Sequence, residues 1–426
     1  MSEKGSYKVP SNGDFSDHLS DPSIPAPDGK RAFLIMFFCV LINVATTGVS
    51  NSFPVYQTYY LEKFGEGNGS SIGWIGTILL AAMLLFSIVA SPIIAKIGYK
   101  YTCLLGGFIG AVGLLLASFS SKIWQLALTN GLLFGFGTAL PFLCAVTMIS
   151  MWFDKYRGLG MGLINSGGGI GGIILSPIIK WLIKDYSFAT SMRVICVFVF
   201  VAVGISAIFL KRRIPESGET IVFDTKAVYD PFVFLIGIST LFGDIAYTIP
   251  LYYLPTIVLN RGGSDSASTT SVMLANIGNI TGSIAMGFLA DKIGEMNIII
   301  IADVLVAILV PAIWQGTHNV SSIQGLSFCY GFLSAAFLSI VPSILGRHYD
   351  HERAPGVISV LFVYVAIGLI IGGPIAGAVW DRCVKINNYA PLSIMCAAGF
   401  FVSALLLVVA QIYIRKKNRG KFGFNL

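Results

Sequence analysis

Twelve apolar runs, each of roughly the 20 residues a helix needs to cross a bilayer, dominate this 426-residue chain. They fall at about 33–56, 71–95, 102–120, 124–151, 157–183, 190–210, 231–258, 269–290, 296–315, 321–346, 353–379 and 391–414. The breaks between them are short and polar, such as AKIGYKY, FDKYRG and DKIGEM. Only 12% of the residues are charged, half the share of a soluble domain, so too little polar sequence exists to coat water-exposed domains. The reading is an all-α membrane protein of twelve transmembrane helices. Residues 1–30 are rich in Ser, Asp, Pro and Gly and read as a disordered cytosolic tail. Residues 31–210 read as a first six-helix bundle, 211–230 as a cytosolic linker, 231–414 as a second bundle and 415–426 as a basic cytosolic tail.

Orientation follows from the basic residues. With the N-terminus inside, 20 Lys and Arg lie on the inner side and 8 on the outer, the asymmetry expected of short loops. Both termini are therefore expected in the cytosol, in the plasma membrane rather than a vacuolar or other internal one. The sequons at Asn68 and Asn319 fall in outer loops under this topology.

The two sets of six repeat each other. Ala95-Lys96-Ile97-Gly98 and Asp291-Lys292-Ile293-Gly294 are 196 residues apart. So are Phe153-Asp154-Lys155-Tyr156-Arg157 and Tyr349-Asp350-His351-Glu352-Arg353. Parallel six-helix repeats are a transporter architecture, with the solute site between the halves at mid-membrane.

These motifs carry a family resemblance. Gly287-Phe-Leu-Ala-Asp291-Lys292-Ile-Gly294 resembles the loop motif G-x-L-a-D-R-x-G of the major facilitator superfamily; the first copy has Ala95 in place of the acid. Within it, the chain resembles the monocarboxylate transporter family, including its fungal members. Pro27-Asp28-Gly29 resembles the start of that family's first signature, although Lys30-Arg31-Ala32-Phe33 departs from the rest. Trp152-Phe153-Asp154-Lys155-Tyr156-Arg157 with Gly160, Gly162, Gly167, Gly168 and Gly169 resembles the fifth-helix signature. Gly372-Gly373-Pro374-Ile375-Ala376-Gly377 resembles the eleventh-helix one. The resemblance implies the major facilitator fold, two six-helix bundles whose first, fourth, seventh and tenth helices line a cavity. It implies alternating access and a symport mechanism. The central lysine of proton-coupled monocarboxylate carriers is replaced by Val55, and their Asp/Arg pair by Asn279 and Ser283. A small carboxylate would lack a counter-ion, so a neutral, zwitterionic or larger solute is expected.

Candidate residues follow from polarity inside the spans. Asp244 lies 13 residues beyond Pro231, about 20 Å along a helix, and is the expected proton- or substrate-binding acid. Asp303 lies on a helix that is peripheral in the family fold, a weaker placement. Asn43, Thr47 and Asn51 share one face of the first helix, Asn276, Asn279 and Ser283 one face of the eighth, and Asn130 and Thr138 one face of the fourth. Tyr247 and Tyr252 join Asp244 on the seventh, and Ser334 and Phe337 lie on the tenth. At the inner ends, Asp154, Arg157, Asp291, Lys292 and Arg353 are expected to form ion pairs that hold one conformational state. The glycines of the fifth helix are read first as close helix contacts.

No cofactor or metal site is expected: the seven cysteines form no CxxC pair, and His18, His318, His348 and His351 fall outside the apolar runs. There is no clustered ligand set for an enzyme and no GxxxxGK[ST] for nucleotide-driven pumping. The expected partners are a small-molecule solute, protons and membrane lipid, with no nucleic acid; the chain is expected to be a monomer, with an accessory subunit left open. The alternatives are a facilitative uniporter of a neutral or cationic metabolite and a nutrient sensor on a transporter fold.

Overall fold

The computed structural model describes residues 25–64, 69–213, 229–317, 319–349, 353–386 and 388–417. Among them there is no strand. In hydrocarbon each backbone N–H and C=O must be paired within its own segment, which leaves the helix as the form open to apolar runs of this length. Spans are numbered in chain order, as read from the sequence.

Eleven helices among the described residues are long and apolar enough to cross a membrane. Span 1 runs from Lys30 to Phe64, spans 4 to 6 over Ile123–Trp152, Arg157–Asp185 and Phe188–Phe209, and span 7 over Pro231–Asn260. Spans 8 to 12 are Asp265–Ile293, Glu295–Gly316, Val320–His348, Ala354–Ile386 and Ala390–Lys417. Spans 2 and 3 share their helical runs: Gly69–Leu85 leads into Ser87–Ala117, which turns at Gly98. Gly98 has φ +79° and ψ 168°, a conformation that side chains with a Cβ rarely adopt. Gly294, 196 residues on, has φ +104° at the break between spans 8 and 9. The repeat read from side chains is thus also a repeat of backbone geometry.

Two spans depart from regular helix. Span 1 breaks near Thr46 and Ser52. There Thr46 Oγ1 donates to the Ile42 carbonyl (2.8 Å) and Ser52 Oγ to that of Gly48 (3.0 Å), bonds of the kind that bend helices. Span 4 passes from a first α-helical turn, Ile123–Leu126, into a π-helical stretch, Ala127–Leu133.

The halves meet mainly through spans 5 and 8, and through spans 2 and 11. Backbones touch along the first seam: a Cβ on Gly162 would overlap the Ser283 carbonyl. Span 5 also lies against span 1, where a Cβ on Gly48 would sit 2.7 Å from Gly171 Cα. The fifth-span glycines therefore serve close helix approach, as read from the sequence.

The boundary regions differ in part from expectation. Order begins before the first span, because residues 25–29 are docked rather than loose: Asp28 N–H donates to the Trp152 carbonyl (3.1 Å). Residues 1–24, 214–228 and 418–426 of the expected tails and linker, and Asn68, His318, Asp350, His351 and Glu352, lie outside the described residues.

Candidate transport site and gate

Asp244 is buried to 3% exposure in the middle of span 7. A Cβ on Gly368 of span 11 would lie 3.0 Å from Asp244 Cβ, and one on Gly372 would lie 3.0 Å from Thr248 Oγ1. Gly368 and Gly372 of span 11 thus make room for Asp244 and Thr248 of span 7. Asp244 Oδ2 has no hydrogen-bond partner. An unsatisfied buried carboxylate oxygen is costly, and it requires a proton, an ion or a ligand group to offset that cost. Tyr247 is stacked on Tyr330 of span 10 (6.1 Å between centroids), and the Tyr330 hydroxyl donates to the Tyr247 carbonyl at 2.5 Å. Phe337 is 2% exposed and lies over Gly243. The side chain of Tyr252 lies outside the described residues.

Asp303 is buried but partnered. It accepts from Ser403 Oγ of span 12 at 2.7 Å, and Ser403 Oγ is 3.0 Å from Ser239 Oγ of span 7. This chain ties spans 7, 9 and 12 together.

The polar face of span 1 is real, and part of it turns toward span 5. A Cβ on Gly167 would lie 3.2 Å from Asn43 Cβ, and one on Gly168 would lie 2.8 Å from Thr47 Cγ2. Asn43 Oδ1 and Thr47 Oγ1 are buried without partners, while Asn51 is exposed. Asn130 sits in the π-helical stretch and donates to the Tyr60 hydroxyl at 3.4 Å. The Thr138 hydroxyl bonds its own helix at the Phe134 carbonyl (2.9 Å). On span 8, Asn276 is exposed and Asn279 half-buried. Ser283 donates to the Asn279 carbonyl (2.5 Å) and accepts from Asn165 of span 5 (2.9 Å), which joins the halves. Asn165 was not among the expected residues; a lone amide within a glycine-rich helix was the available signal.

At the basic end Asp291 makes a bond of a different kind from the ion pair expected of it. Asp291 accepts from the backbone N–H of Gly158 at 2.7 Å and of Leu159 at 2.9 Å. A carboxylate of one half thus caps the first turn of a helix in the other, where free N–H groups and the helix dipole both favour negative charge. Arg157, 5% exposed, donates to the carbonyls of Phe153 (3.1 Å) and Ser150 (2.8 Å). Lys292 lies 4.3 Å from the Phe288 ring of its own helix and Arg353 5.7 Å from that of Tyr349. Asp154 is exposed, and its backbone N–H donates to Asp28.

Residues not expected complete this layer. Glu295, 2% exposed, accepts from the Ser343 hydroxyl at 2.6 Å and faces Arg347 at 3.8 Å. Ser150 of span 4 lies against Gly346 of span 10, so the halves are in contact here. Asp28 accepts from the N–H groups of Lys155 (3.0 Å) and Tyr156 (3.2 Å).

Long apolar helices in two related halves define a multi-pass membrane protein. The chain belongs to the Major Facilitator Superfamily, whose family model matches residues 35–372 and 234–422. It is 31% identical over 362 residues to the MFS-type transporter pynF of Aspergillus niger, covering 83% of each chain. It is 24% identical to the riboflavin transporter MCH5 of Saccharomyces cerevisiae, covering 90% of this chain and 79% of that one. It is also 24% identical to the agnestins efflux protein AgnL12 of Paecilomyces divaricatus, covering 90% of this chain and 88% of that one. Among solved structures it resembles the transporter FucP in its outward conformation (TM-score 0.72, 16% identity, 89% of this chain and 98% of that one).

Proposed function

We propose that the protein is a secondary transporter that moves an organic solute by alternating access, with Asp244 as its proton- or cation-binding acid. The observation that carries this reading is the Asp244 carboxylate, buried in the middle of span 7 with Oδ2 unpartnered. A group in that position gains most from a ligand that arrives and leaves with each cycle. The contacts between halves at the basic end, with Asn51 and Asn276 exposed elsewhere, fit one state of such a cycle. On the positive-inside distribution the closed end is cytosolic and the state is open to the other side, in the plasma membrane.

The solute is a neutral or zwitterionic molecule larger than a monocarboxylate. Support comes from the uncharged residues Val55, Asn279 and Ser283 and from the aromatic surroundings of Tyr247, Tyr330 and Phe337. The riboflavin named for one relative fits this class better than lactate does. The test is uptake into proteoliposomes under an imposed pH gradient, with Asp244→Asn beside the wild type. Loss of pH-driven accumulation with solute exchange retained assigns proton coupling. Loss confined to cationic solutes assigns a counter-charge. Unchanged pH-dependent uptake removes Asp244 from the mechanism.

A further inference from the structure

The last residue of span 10 has no part in the solute site, yet its ring is built into the closed end. His348 Nδ1 lies 2.8 Å from the Ile344 carbonyl. A carbonyl only accepts, so Nδ1 carries the hydrogen, and in the neutral ring Nε2 is a bare lone pair. Nε2 is buried and has no partner. The ring lies 5.0 Å from Phe232, which starts span 7. Phe232 stands 12 residues before Asp244, about 18 Å along the helix, so this is a separate place in the molecule.

The groups around the ring are unbalanced. Arg347 adjoins it on span 10, and Arg157 of span 5 and Glu295 of span 9 are within electrostatic reach. Arg157 Nη1 and Arg347 Nε are buried without partners, as is Ser150 Oγ. The nearby carboxylates are largely committed. Glu295 holds Ser343 and faces Arg347, Asp291 of span 8 caps span 5, and Asp230, which caps span 7, accepts from the Tyr349 hydroxyl at 2.8 Å. A neutral His348 offers an acceptor in a layer with surplus donors. A protonated one turns that acceptor into a donor and adds a third positive charge beside two guanidinium groups. One of those, Arg157, belongs to the other half, so the added repulsion acts across the seam.

We propose that His348 is a proton-binding site that sets the closure of the basic end, its neutral ring belonging to the closed state and its protonated ring to the open one. The proposal rests on the alternating-access reading but not on Asp244. Protons on the side facing the basic end would then regulate how fast the carrier turns over, whatever drives accumulation.

The experiment uses the full chain in lipid nanodiscs without solute and follows backbone hydrogen exchange in the segment holding Gly158 and Leu159. These amides are held by Asp291 when the end is closed. After correction for intrinsic exchange, wild-type protection should fall at least about fivefold between pH 7.5 and 5.5, the range in which imidazole titrates. His348→Gln should stay protected at both values, and His348→Arg, with a fixed charge, should be unprotected at both. Glu295→Gln, which removes a counter-charge and so weakens proton binding in the closed state, should make the fall in protection larger and carry it to lower pH. Wild-type protection that does not change with pH overturns the proposal. So does a response kept in His348→Gln, which would move the proton to Asp291. Asp244→Asn should respond as wild type; if its uptake is also unchanged, the reading of Asp244 fails while that of His348 stands.

Discussion

The two junctions where one half meets the other at the basic end are copies of each other, and only one carries an acid at the shared position. In the span 8 to span 5 junction, Asp291 precedes a glycine with positive φ and binds the first two N–H groups of span 5 after Arg157. In the span 2 to span 11 junction the backbone turns the same way at Gly98, but Ala95 stands where Asp291 stands in the other. The receiving helix differs too. The residues 196 positions after Gly158 and Leu159 are Ala354 and Pro355, and proline has no N–H to donate. Donor and acceptor have both changed on the same side. The basic end is thus hydrogen-bonded through Asp291 along one seam, with no corresponding acid in the other.

The largest effect should come from Asp291→Ala. It removes two hydrogen bonds to a charged group, each about 1.5–3 kcal/mol, so the balance between closed and open should shift at least about tenfold. The protein should still insert, while exchange protection of Gly158 and Leu159 is lost and solute turnover slows. Unchanged protection would remove the cap from the account of closure.

Arg157→Ala should come next and Arg353→Ala well below it, although the two occupy equivalent positions. Arg157 bonds two carbonyls in a buried site, whereas Arg353 is half-exposed beside an aromatic ring, an arrangement typically holding about 0.5–1 kcal/mol. Turnover rates of the two variants, measured side by side, check this; equal losses would mean that the junctions are equivalent after all.

The smallest effect should be that of Ala95→Asp, since the acid would meet Pro355. Ala95→Asp combined with Pro355→Ala should build a second cap and hold the basic end closed, which slows transport further than either change alone. The non-additivity of the pair, measured as a double-mutant cycle on turnover, is the decisive quantity. Additive effects would mean that the missing N–H is not what separates the junctions.

Much of this was legible in the sequence because it rests on period and polarity. The apolar runs mark the spans, and the DKIG and AKIG segments mark the repeat. Asp291 was legible as a residue engaged at the inner end, but its partner was not. A sequence displays side-chain charges and hides the free N–H groups of a helix start, so a cation was expected where a backbone serves. Glu295 and His348 were missed because their helices run past the apolar stretch, so charged and titratable ends are buried in an interface between spans. The face of Asn43, Thr47 and Asn51 was legible as one stripe; that it borders span 5 depends on glycines more than 100 residues away.

The docked segment at residues 25–31 has a consequence for synthesis. Asp28 holds the loop before span 5, the Trp152 indole donates to the Lys211 carbonyl (2.9 Å), and Arg213 reaches back to the Pro25 carbonyl (2.9 Å). Every partner in this knot lies within the first 213 residues. It can therefore be tied while the ribosome is still making the linker, before any residue of the second half exists, in the order in which domains of a growing chain fold. The Asp291 cap then finds a finished surface, and the emerging second half has one mate to find instead of six loose helices.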